Sequence, residues 1–261
     1  MHTIRNYIMA ESLEQAWELN QKGRNNIIIG GNLWLKMRRR NIINAIDLSS
    51  LGLDKIEEDE GGFRIGCMAT LHDIETHEGL NKEFQNLFKE AVRHIVGVQF
   101  RNCATIGGSI FPKLGFSDVL TAFLACDTQV ILYKKGEVPL REFIYIPTDN
   151  DILTHLYVKK DGRKTAYESF RMTETDFPTI TCAMAKTQDG FETVLGARPK
   201  HAEVVVDEVV ADAFSSEEVA DYAKRVIGKL QYGSNIRGSE QYRKQLSKVL
   251  IGRCISRLTE E

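Results

Sequence analysis

Ile27-Ile28-Ile29-Gly30-Gly31-Asn32-Leu33 joins a short apolar run to a glycine doublet, and Ala104-Thr105-Ile106-Gly107-Gly108-Ser109-Ile110 repeats the pattern further along the chain. Glycine permits a backbone turn at positive φ and lets bare N–H groups approach a ligand closely. Successive N–H groups in such a turn form a concave anion site that suits phosphate. A single doublet is more often a simple turn. The two together predict a site that holds one diphosphate from both sides.

The composition is that of an ordinary globular protein, with 43% hydrophobic and 27% charged residues in a chain of 261. A formal net charge of -2 gives no electrostatic reason to expect nucleic acid or an anionic membrane as a partner. The apolar runs are only a few residues long, and residues 1–20 carry Glu11 and Glu14 instead of the apolar core of a signal peptide. We therefore expect a cytoplasmic protein.

The cysteines and histidines show no metal-binding spacing. The five cysteines form no Cys-x-x-Cys pair and are Cys67, Cys103, Cys126, Cys182 and Cys254. This pattern indicates reduced thiols and argues against an iron–sulfur cluster or structural zinc within this chain. Most of the cysteines lie in apolar runs and are expected to be small buried hydrophobic residues. No metal site is predicted here.

Hydrophobic periodicity and capping signals predict a mixed succession of helices and strands. The predicted helices cover about Ser12–Lys22, a short segment capped by Thr70, Lys82–Val96, Ser117–Ala125, Ser216–Leu230 and Ser239–Leu258. The predicted strands cover about Asn26–Ile29, Ile42–Leu48, Phe63–Cys67, Thr128–Tyr133, Ile152–Lys159, Thr179–Lys186 and Phe191–Leu195. The stretch from Val98 to Thr105 is predicted to be irregular.

Five motifs resemble, in order and over nearly the whole chain, those of the FAD-binding medium subunit of the molybdenum hydroxylases, the family of xanthine dehydrogenase and carbon monoxide dehydrogenase. They are Ile29–Trp34 for A-G-G-T-D-L, Ile65–Thr70 for I-G-A-x-x-T, Gln99–Ser109 for Q-I-R-N-x-G-T-I-G-G-N, Asp118–Asp127 for D-L-x-x-x-L-x-A-L-D-A, and Ile236–Arg243 for D-x-R-G-S-x-x-Y-R. Each motif alone is weak, and their common order gives the resemblance its weight.

The resemblance implies an α+β fold. Residues 1–150 would form an FAD-binding domain of the PCMH type, built from two α/β subdomains at about 1–55 and 56–150. Residues 151–261 would form a C-terminal α+β domain of the carbon monoxide dehydrogenase flavoprotein type, with a small antiparallel sheet and helices. The weakly structured stretch Pro147–Asn150 is a plausible boundary between the two.

The resemblance also implies which residues hold the cofactor. The predicted FAD-binding residues are Ile28, Ile29, Gly30, Gly31, Asn32, Leu33, Trp34, Ile95, Ala104, Thr105, Ile106, Gly107, Gly108, Ser109, Asp118, Leu153 and Ser169. The glycine loops would contact the pyrophosphate and ribityl chain, Asp118 the adenosine side, and Ile95 the neighbourhood of the isoalloxazine. No side chain is expected to act as acid, base or nucleophile, because the flavin supplies the chemistry.

Three departures from the family pattern concern this site. Asn32-Leu33 replaces the usual Thr/Ser-Asp, and Ser109 replaces the usual Asn. A lysine usually found close to the flavin ring is missing from Tyr167-Glu168-Ser169-Phe170-Arg171. A positive charge near the flavin raises its reduction potential, so this last departure concerns flavin tuning.

The implied function is that of an FAD-binding electron-transfer subunit in a xanthine dehydrogenase-like molybdenum hydroxylase. Partner subunits would carry [2Fe–2S] clusters and molybdopterin in a hetero-oligomer. Electrons would pass from the clusters to FAD and on to NAD+ or another acceptor. Two alternatives remain open: a stand-alone flavin reductase of the same fold, and a scaffolding subunit that has lost FAD.

Several of these residues also have simpler interpretations. Asp118 could be a first-turn acid favoured by the helix dipole. Trp34 is expected to pack against the protein instead of stacking on a flavin ring. Arg38-Arg39-Arg40 is expected to be a solvated loop or a surface that faces a partner.

Overall fold

The computed structural model describes residues 3–35, 39, 41–147, 149–208 and 213–259. The strands are β1 Thr3–Met9, β2 Asn26–Ile29, β3 Asn41–Asp47, β4 Ile56–Glu58, β5 Gly62–Gly66, β6 Thr128–Leu132, β7 Gly136–Pro139, β8 Leu153–Lys159, β9 Lys164–Phe170, β10 Ile180–Thr187, β11 Gly190–Gly196 and β12 Glu203–Asp207. The helices are α1 Leu13–Gln21, α2 Leu71–Thr76, α3 Glu78–Glu83, α4 Leu87–Val92, α5 Val98–Arg101, α6 Ile106–Ile110, α7 Asp118–Leu124, α8 Leu140–Phe143, α9 Ser216–Gly228 and α10 Glu240–Thr259.

The chain forms two compact units, and neither is a continuous stretch of sequence. The first unit comprises residues 1–73, 98–112 and 128–158, and the second comprises 74–97, 113–127 and 159–261. The predicted domain limits of 1–150 and 151–261 remain a prediction. The predicted α+β class is confirmed, because the described residues form three separate sheets accompanied by helices.

Two sheets build the first unit. Strands β1, β3 and β2 form a parallel sheet in that order, with α1 contacting β2 and β3. The second sheet has the order β4-β5-β8-β6-β7. Ser12 begins α1 as predicted, since its hydroxyl accepts a hydrogen bond from the Gln15 N–H at 3.1 Å. Strand β2 ends at Ile29, so the first glycine doublet follows it directly.

An antiparallel sheet of order β12-β11-β10-β9 builds the second unit. Helices α9 and α10 contact each other, and α10 packs on β9 and β10. The core between them includes Met184, Phe191, Tyr222 and Ile251, each 0% exposed. The predicted C-terminal sheet with helices is therefore present within this unit.

The predicted helix over Lys82–Val96 is wrong as a single element. It is divided between α3 and α4, because Gln85 and Asn86 adopt left-handed φ values of 45° and 62°. The Asn81 side chain stabilises the break: its Nδ2 donates to the carbonyl of Ile74 at 2.8 Å, and its Oδ1 accepts from the Lys89 N–H at 3.0 Å. Asparagine side chains can satisfy backbone groups in this way and so compete with helix continuation.

Other differences concern short or exposed elements. The predicted irregular stretch from Val98 to Thr105 begins with a helical turn, α5. The sequence pattern did not predict helix α8 or the strands β1, β4, β7, β9 and β12. Strand β1 is exposed at six of its seven residues, so it lacks the alternating burial that marks a half-buried strand.

Candidate functional site

The first glycine loop presents backbone N–H groups that have no acceptor among the residues the structure describes. Within the described ranges, no residue accepts a hydrogen bond from the N–H of Gly30, Gly31, Asn32 or Leu33. Asn32 has a φ of 61°, in the left-handed region that asparagine tolerates better than most residues. Its Oδ1 is buried and has no hydrogen-bond partner among the described atoms. Free N–H groups in such a turn can receive an anion.

The two glycine loops contact each other. A Cβ on Gly30 would overlap with the Thr105 hydroxyl oxygen, and one on Gly31 would overlap with the carbonyl of Cys103. The second overlap involves backbone atoms, which cannot rotate away as a side chain can. Only glycine lets these loops lie so close, so the two doublets predicted from the sequence share one region of the first unit.

The second doublet is used differently from the first. Thr105 begins α6, and its hydroxyl accepts from the Gly108 N–H at 3.2 Å. The N–H groups of Ile106, Gly107 and Ser109 donate to the carbonyls of Ala69, Cys67 and Thr105 at 2.9, 2.8 and 3.1 Å. The N–H groups of the second doublet are therefore engaged within the protein, and the predicted contact of this doublet with FAD stays a prediction. Its glycines instead allow a close approach, since a Cβ on Gly107 would lie 2.9 Å from the Cys67 carbonyl oxygen.

The remaining predicted residues of the first unit lie around these loops. Ile29, Ala104, Ile106 and Leu153 are buried, Ile28 and Leu33 are half-buried, and the Ser109 hydroxyl donates to the Thr105 carbonyl at 3.0 Å. The Trp34 ring meets Phe100 edge-on with centroids 5.3 Å apart, in agreement with the predicted packing role. Leu153 precedes Thr154, whose carbonyl accepts from the Cys67 N–H at 2.8 Å. Strand β8 is thus joined to the second loop through Cys67.

Asp118 lies in the second unit at the start of α7 and is 4% exposed. Its Oδ1 accepts from the Tyr167 hydroxyl at 2.5 Å and from Nη2 of Arg171 at 2.6 Å. Burial raises the pKa of Asp118 to about 6, against the opposing effects of Arg171 and Tyr167. Both earlier interpretations remain open, because Asp118 is a first-turn acid and also belongs to a buried polar cluster.

The other two predicted residues of this unit are Ile95 and Ser169. Ile95, three residues beyond α4, is 7% exposed. Ser169 lies in β9 opposite Thr181 of β10. Arg171, two residues further on, was not predicted as a site residue, because the family pattern has a lysine in this segment. Arg171 is a buried cation whose Nε and Nη1 have no hydrogen-bond partner in the part of the chain that the structure describes.

The described residues were also compared with the predictions for metal sites, membrane helices, cysteines and the arginine run. Among the described residues, no three His, Cys, Asp or Glu side chains are arranged to hold a metal ion. The same residues include no helix that is long and apolar enough to cross a membrane. Four cysteines are buried as predicted, whereas Cys103 is exposed. Of the Arg38-Arg39-Arg40 run, only Arg39 lies within the described residues, and it is exposed.

Residues 2–158 match the family model described as the FAD binding domain in molybdopterin dehydrogenase. The chain belongs to this family. The match covers both glycine loops, β1 to β7 and most of β8. Family membership carries FAD binding with it, and the predicted resemblance is confirmed.

Relatives of similar length extend the likeness over the whole chain. The glyceraldehyde dehydrogenase medium chain of Sulfolobus acidocaldarius is 26% identical over 94% of both chains. The 6-hydroxypseudooxynicotine dehydrogenase complex subunit alpha of Paenarthrobacter nicotinovorans is 24% identical over 96% of this chain and 93% of that one. A chain of carbon monoxide dehydrogenase from Hydrogenophaga pseudoflava has the same fold, with a TM-score of 0.87 at 21% identity over 97% of this chain and 96% of that one.

The first loop fits the diphosphate of FAD. A diphosphate needs hydrogen-bond donors and a backbone that permits close approach, and Gly30 and Gly31 provide both. The buried Asn32 Oδ1 is an acceptor suited to a hydroxyl or amino group of the same molecule. Asn32, a departure from the family pattern, is thus compatible with a ligand-binding loop.

Proposed function

We propose that this chain is the FAD-binding electron-transfer subunit of a xanthine dehydrogenase-like molybdenum hydroxylase. Electrons pass from [2Fe–2S] clusters to FAD and then to NAD+ or another acceptor. The observation that carries the proposal is the first glycine loop, with the buried Asn32 Oδ1 and with four N–H groups for which the described residues offer no acceptor.

The residues of this chain bind and orient the cofactor in this proposal. FAD, when bound, supplies the conversion between single-electron and two-electron transfer. The N–H groups of Gly30 and Gly31 donate to its pyrophosphate, and the Thr105–Ser109 turn supplies a closely packed wall for the first loop. Asp118 serves the adenosine side, while Ile95, Leu153 and Ser169 complete the predicted set.

The proposed partners are a [2Fe–2S] subunit and a molybdopterin-binding subunit in a hetero-oligomer. Two relatives support this, one named as a medium chain and the other as a subunit of a dehydrogenase complex. The organic substrate would be oxidised on the molybdopterin subunit. This division fits the expectation that no side chain of this chain acts as a catalytic acid, base or nucleophile.

The test is a visible spectrum and FAD titration of the purified chain, followed by purification with its partners. We expect stoichiometric FAD, and co-purification of molybdenum and iron–sulfur subunits. Reduction of the complex with its organic substrate should bleach the flavin band, and NAD+ should restore it. Failure of NAD+ while an artificial acceptor succeeds would reject the NAD+ assignment alone.

One observation favours a second candidate, a scaffolding subunit that no longer holds FAD. The N–H groups of Ile106, Gly107, Gly108 and Ser109 all donate within the protein, leaving the second doublet no free donor. A chain that assembles with its partners but shows no flavin band, even after incubation with FAD, would establish this alternative and reject the first proposal.

A further inference from the structure

Strand β1 is an open edge of the three-stranded sheet in the first unit. In the order β1-β3-β2, and among the residues that the structure describes, it pairs only with β3. Six of its seven residues are exposed, including Ile4, Tyr7 and Met9 at 45%, 57% and 52%. The outer backbone N–H and C=O groups of such a strand are a template for a further strand.

The other sheet edges carry features that oppose pairing with a further strand. Strands β2 and β4 have only four and three residues, and β7 ends in Pro139. Strand β12 has a carboxylate at each end, Glu203 and Asp207, and β9 is exposed only at Lys164. Short length, proline and charge are common protections of a sheet edge. Strand β1 has none of these except the charge of Arg5.

A ladder of asparagine side chains ends at this edge. Asn6 Nδ2 donates to Asn44 Oδ1 at 2.9 Å, and Asn44 Nδ2 donates to Asn26 Oδ1 at 2.9 Å. Asn26 Nδ2 then donates to the Leu19 carbonyl at 2.7 Å. Because a carbonyl can only accept, all three amides must donate in the same direction, away from the edge. The ladder therefore leaves the Asn6 Oδ1 as an acceptor for which the described part of the chain supplies no donor.

The charges on this edge fit an antiparallel copy of the same strand. A two-fold axis through Asn6 places Asn6 opposite its own copy and Arg5 opposite Tyr7. Arg5 has no ion-pair partner among the described residues, whereas the Tyr7 hydroxyl donates to Asp47 Oδ2 at 2.6 Å. In this register the Arg5 guanidinium would meet the Tyr7 ring and the Asp47 carboxylate of the second copy. An axis through Arg5 would instead set two like charges opposite each other.

We propose that β1 is an interaction surface for a second copy of this chain, whose own β1 pairs with it in the antiparallel register centred on Asn6. The two three-stranded sheets then join into one. The two Asn6 amides exchange hydrogen bonds, because each offers its Oδ1 and a second Nδ2 hydrogen. The contact uses the same surface on both copies, so it closes at the dimer. It is independent of FAD binding and of the proposed function.

The first test is the mass of the purified full-length chain, from sedimentation equilibrium and small-angle X-ray scattering between about 10 µM and about 1 mM. A contact through one strand is smaller than a standard interface, so we expect a weak, concentration-dependent dimer. Tyr7→Lys sets a second cation opposite Arg5 twice in each dimer and should raise the dimer dissociation constant about tenfold. Val206→Lys is the matched control, since Val206 is 52% exposed on the edge strand β12, and it should leave this constant unchanged.

Cysteine substitution tests the register. Asn6→Cys should give a disulfide-linked dimer on mild oxidation, because the two Cα atoms would lie about 4.5–5.5 Å apart. Arg5→Cys should not, because an offset of two residues would separate its two Cα atoms by about 8 Å. The wild-type chain carries the exposed Cys103 and is the control for cross-linking elsewhere.

The inference is overturned if the wild-type chain stays monomeric, or grows beyond a dimer, at about 1 mM. Dimerisation of Tyr7→Lys with the wild-type dissociation constant would overturn it too, as would equal cross-linking of Asn6→Cys and Arg5→Cys. Hydrogen exchange distinguishes another occupant of the edge. Protection of the β1 amides that arises only when partner subunits bind would assign the edge to them and reject the second copy.

Discussion

Replacement of Gly31 by alanine tests the contact between the two glycine loops. The new Cβ would overlap with the backbone carbonyl of Cys103 and lie 3.2 Å from the Ala104 nitrogen. Because these atoms belong to the backbone, the loops must separate. Overpacking of this kind costs roughly 1–3 kcal/mol. At roughly 2–4 °C per kcal/mol for a chain of this size, the thermal midpoint should fall by about 2–12 °C.

Binding should suffer more than stability. Displacing the loop moves the N–H groups of Gly30 and Gly31, for which the described residues offer no acceptor. Loss of one hydrogen bond to a charged group costs roughly 1.5–3 kcal/mol. The FAD dissociation constant of Gly31→Ala should therefore rise roughly ten- to a hundredfold in a fluorescence titration. Gly23→Ala is the control, because its Cβ would meet nothing within 4 Å. If Gly31→Ala kept both the midpoint and the affinity of wild type, the close approach of the loops would be refuted.

Three further predictions concern other residues. The pKa of Asp118 is raised from 3.8 to about 6, so the folded protein holds the Asp118 proton more tightly than the unfolded chain does. The stabilisation of the folded state by protonated Asp118 is therefore full below pH 3.8 and is lost as the pH rises through 6. Asp118→Asn should remove this dependence, so the difference in unfolding free energy between variant and wild type should change by up to about 3 kcal/mol between pH 3.8 and 6; parallel pH profiles would contradict this. Arg243→Lys should cost at least about 3 kcal/mol in a denaturant titration because several buried carbonyls lose their donor, whereas Arg253→Lys, with a side chain 62% exposed, should change little; equal effects would argue against the Arg243 contacts. Cys103, the one exposed cysteine of five, should react with a thiol reagent well before Cys67, whose burial raises its thiol pKa to about 12; FAD should slow this reaction, since Cys103 lies beside Gly31, and an unchanged rate would place FAD elsewhere.

Local chemistry explains which elements the sequence predicts well. Ser12 and Ser117 cap their helices through hydroxyl groups three residues from the bonded N–H, a pattern visible in the sequence itself. Strand β2 has the predicted limits, Asn26–Ile29, because three consecutive isoleucines run directly into glycine. Such features depend on neighbours a few residues away.

The break between α3 and α4 depends on residues far apart in the sequence. The apolar stripe through Phe84, Phe88 and Val92 continues across it, so periodicity alone predicts one helix. The Gln85 side chain is instead held by the Thr165 N–H at 2.6 Å, eighty residues later. A pattern within one segment cannot reveal that partner.

In the candidate site, too, local features were predictable from the sequence and long-range contacts were not. The doublets and their glycine requirement were predictable from the sequence, because the residue type itself permits close approach. The engagement of Ile106 and Gly107 by the carbonyls of Ala69 and Cys67 was not, since it depends on how two segments pair. Arg171 was missed for a related reason: its significance lies in the two nitrogens that no described residue satisfies.

The hydroxyl of Thr105 links the opening motions of the two glycine loops. It accepts from the Gly108 N–H and lies against the backbone of Gly30, so fraying of the first turn of α6 also removes a support of the first loop. Amide hydrogen exchange at Gly108 should therefore report on this opening event, whereas the Gly30 N–H, which has no described acceptor, gains protection when a ligand accepts from it. A ligand held by the first loop alone would slow exchange in both, and the second doublet would contribute to affinity through rigidity instead of direct contact.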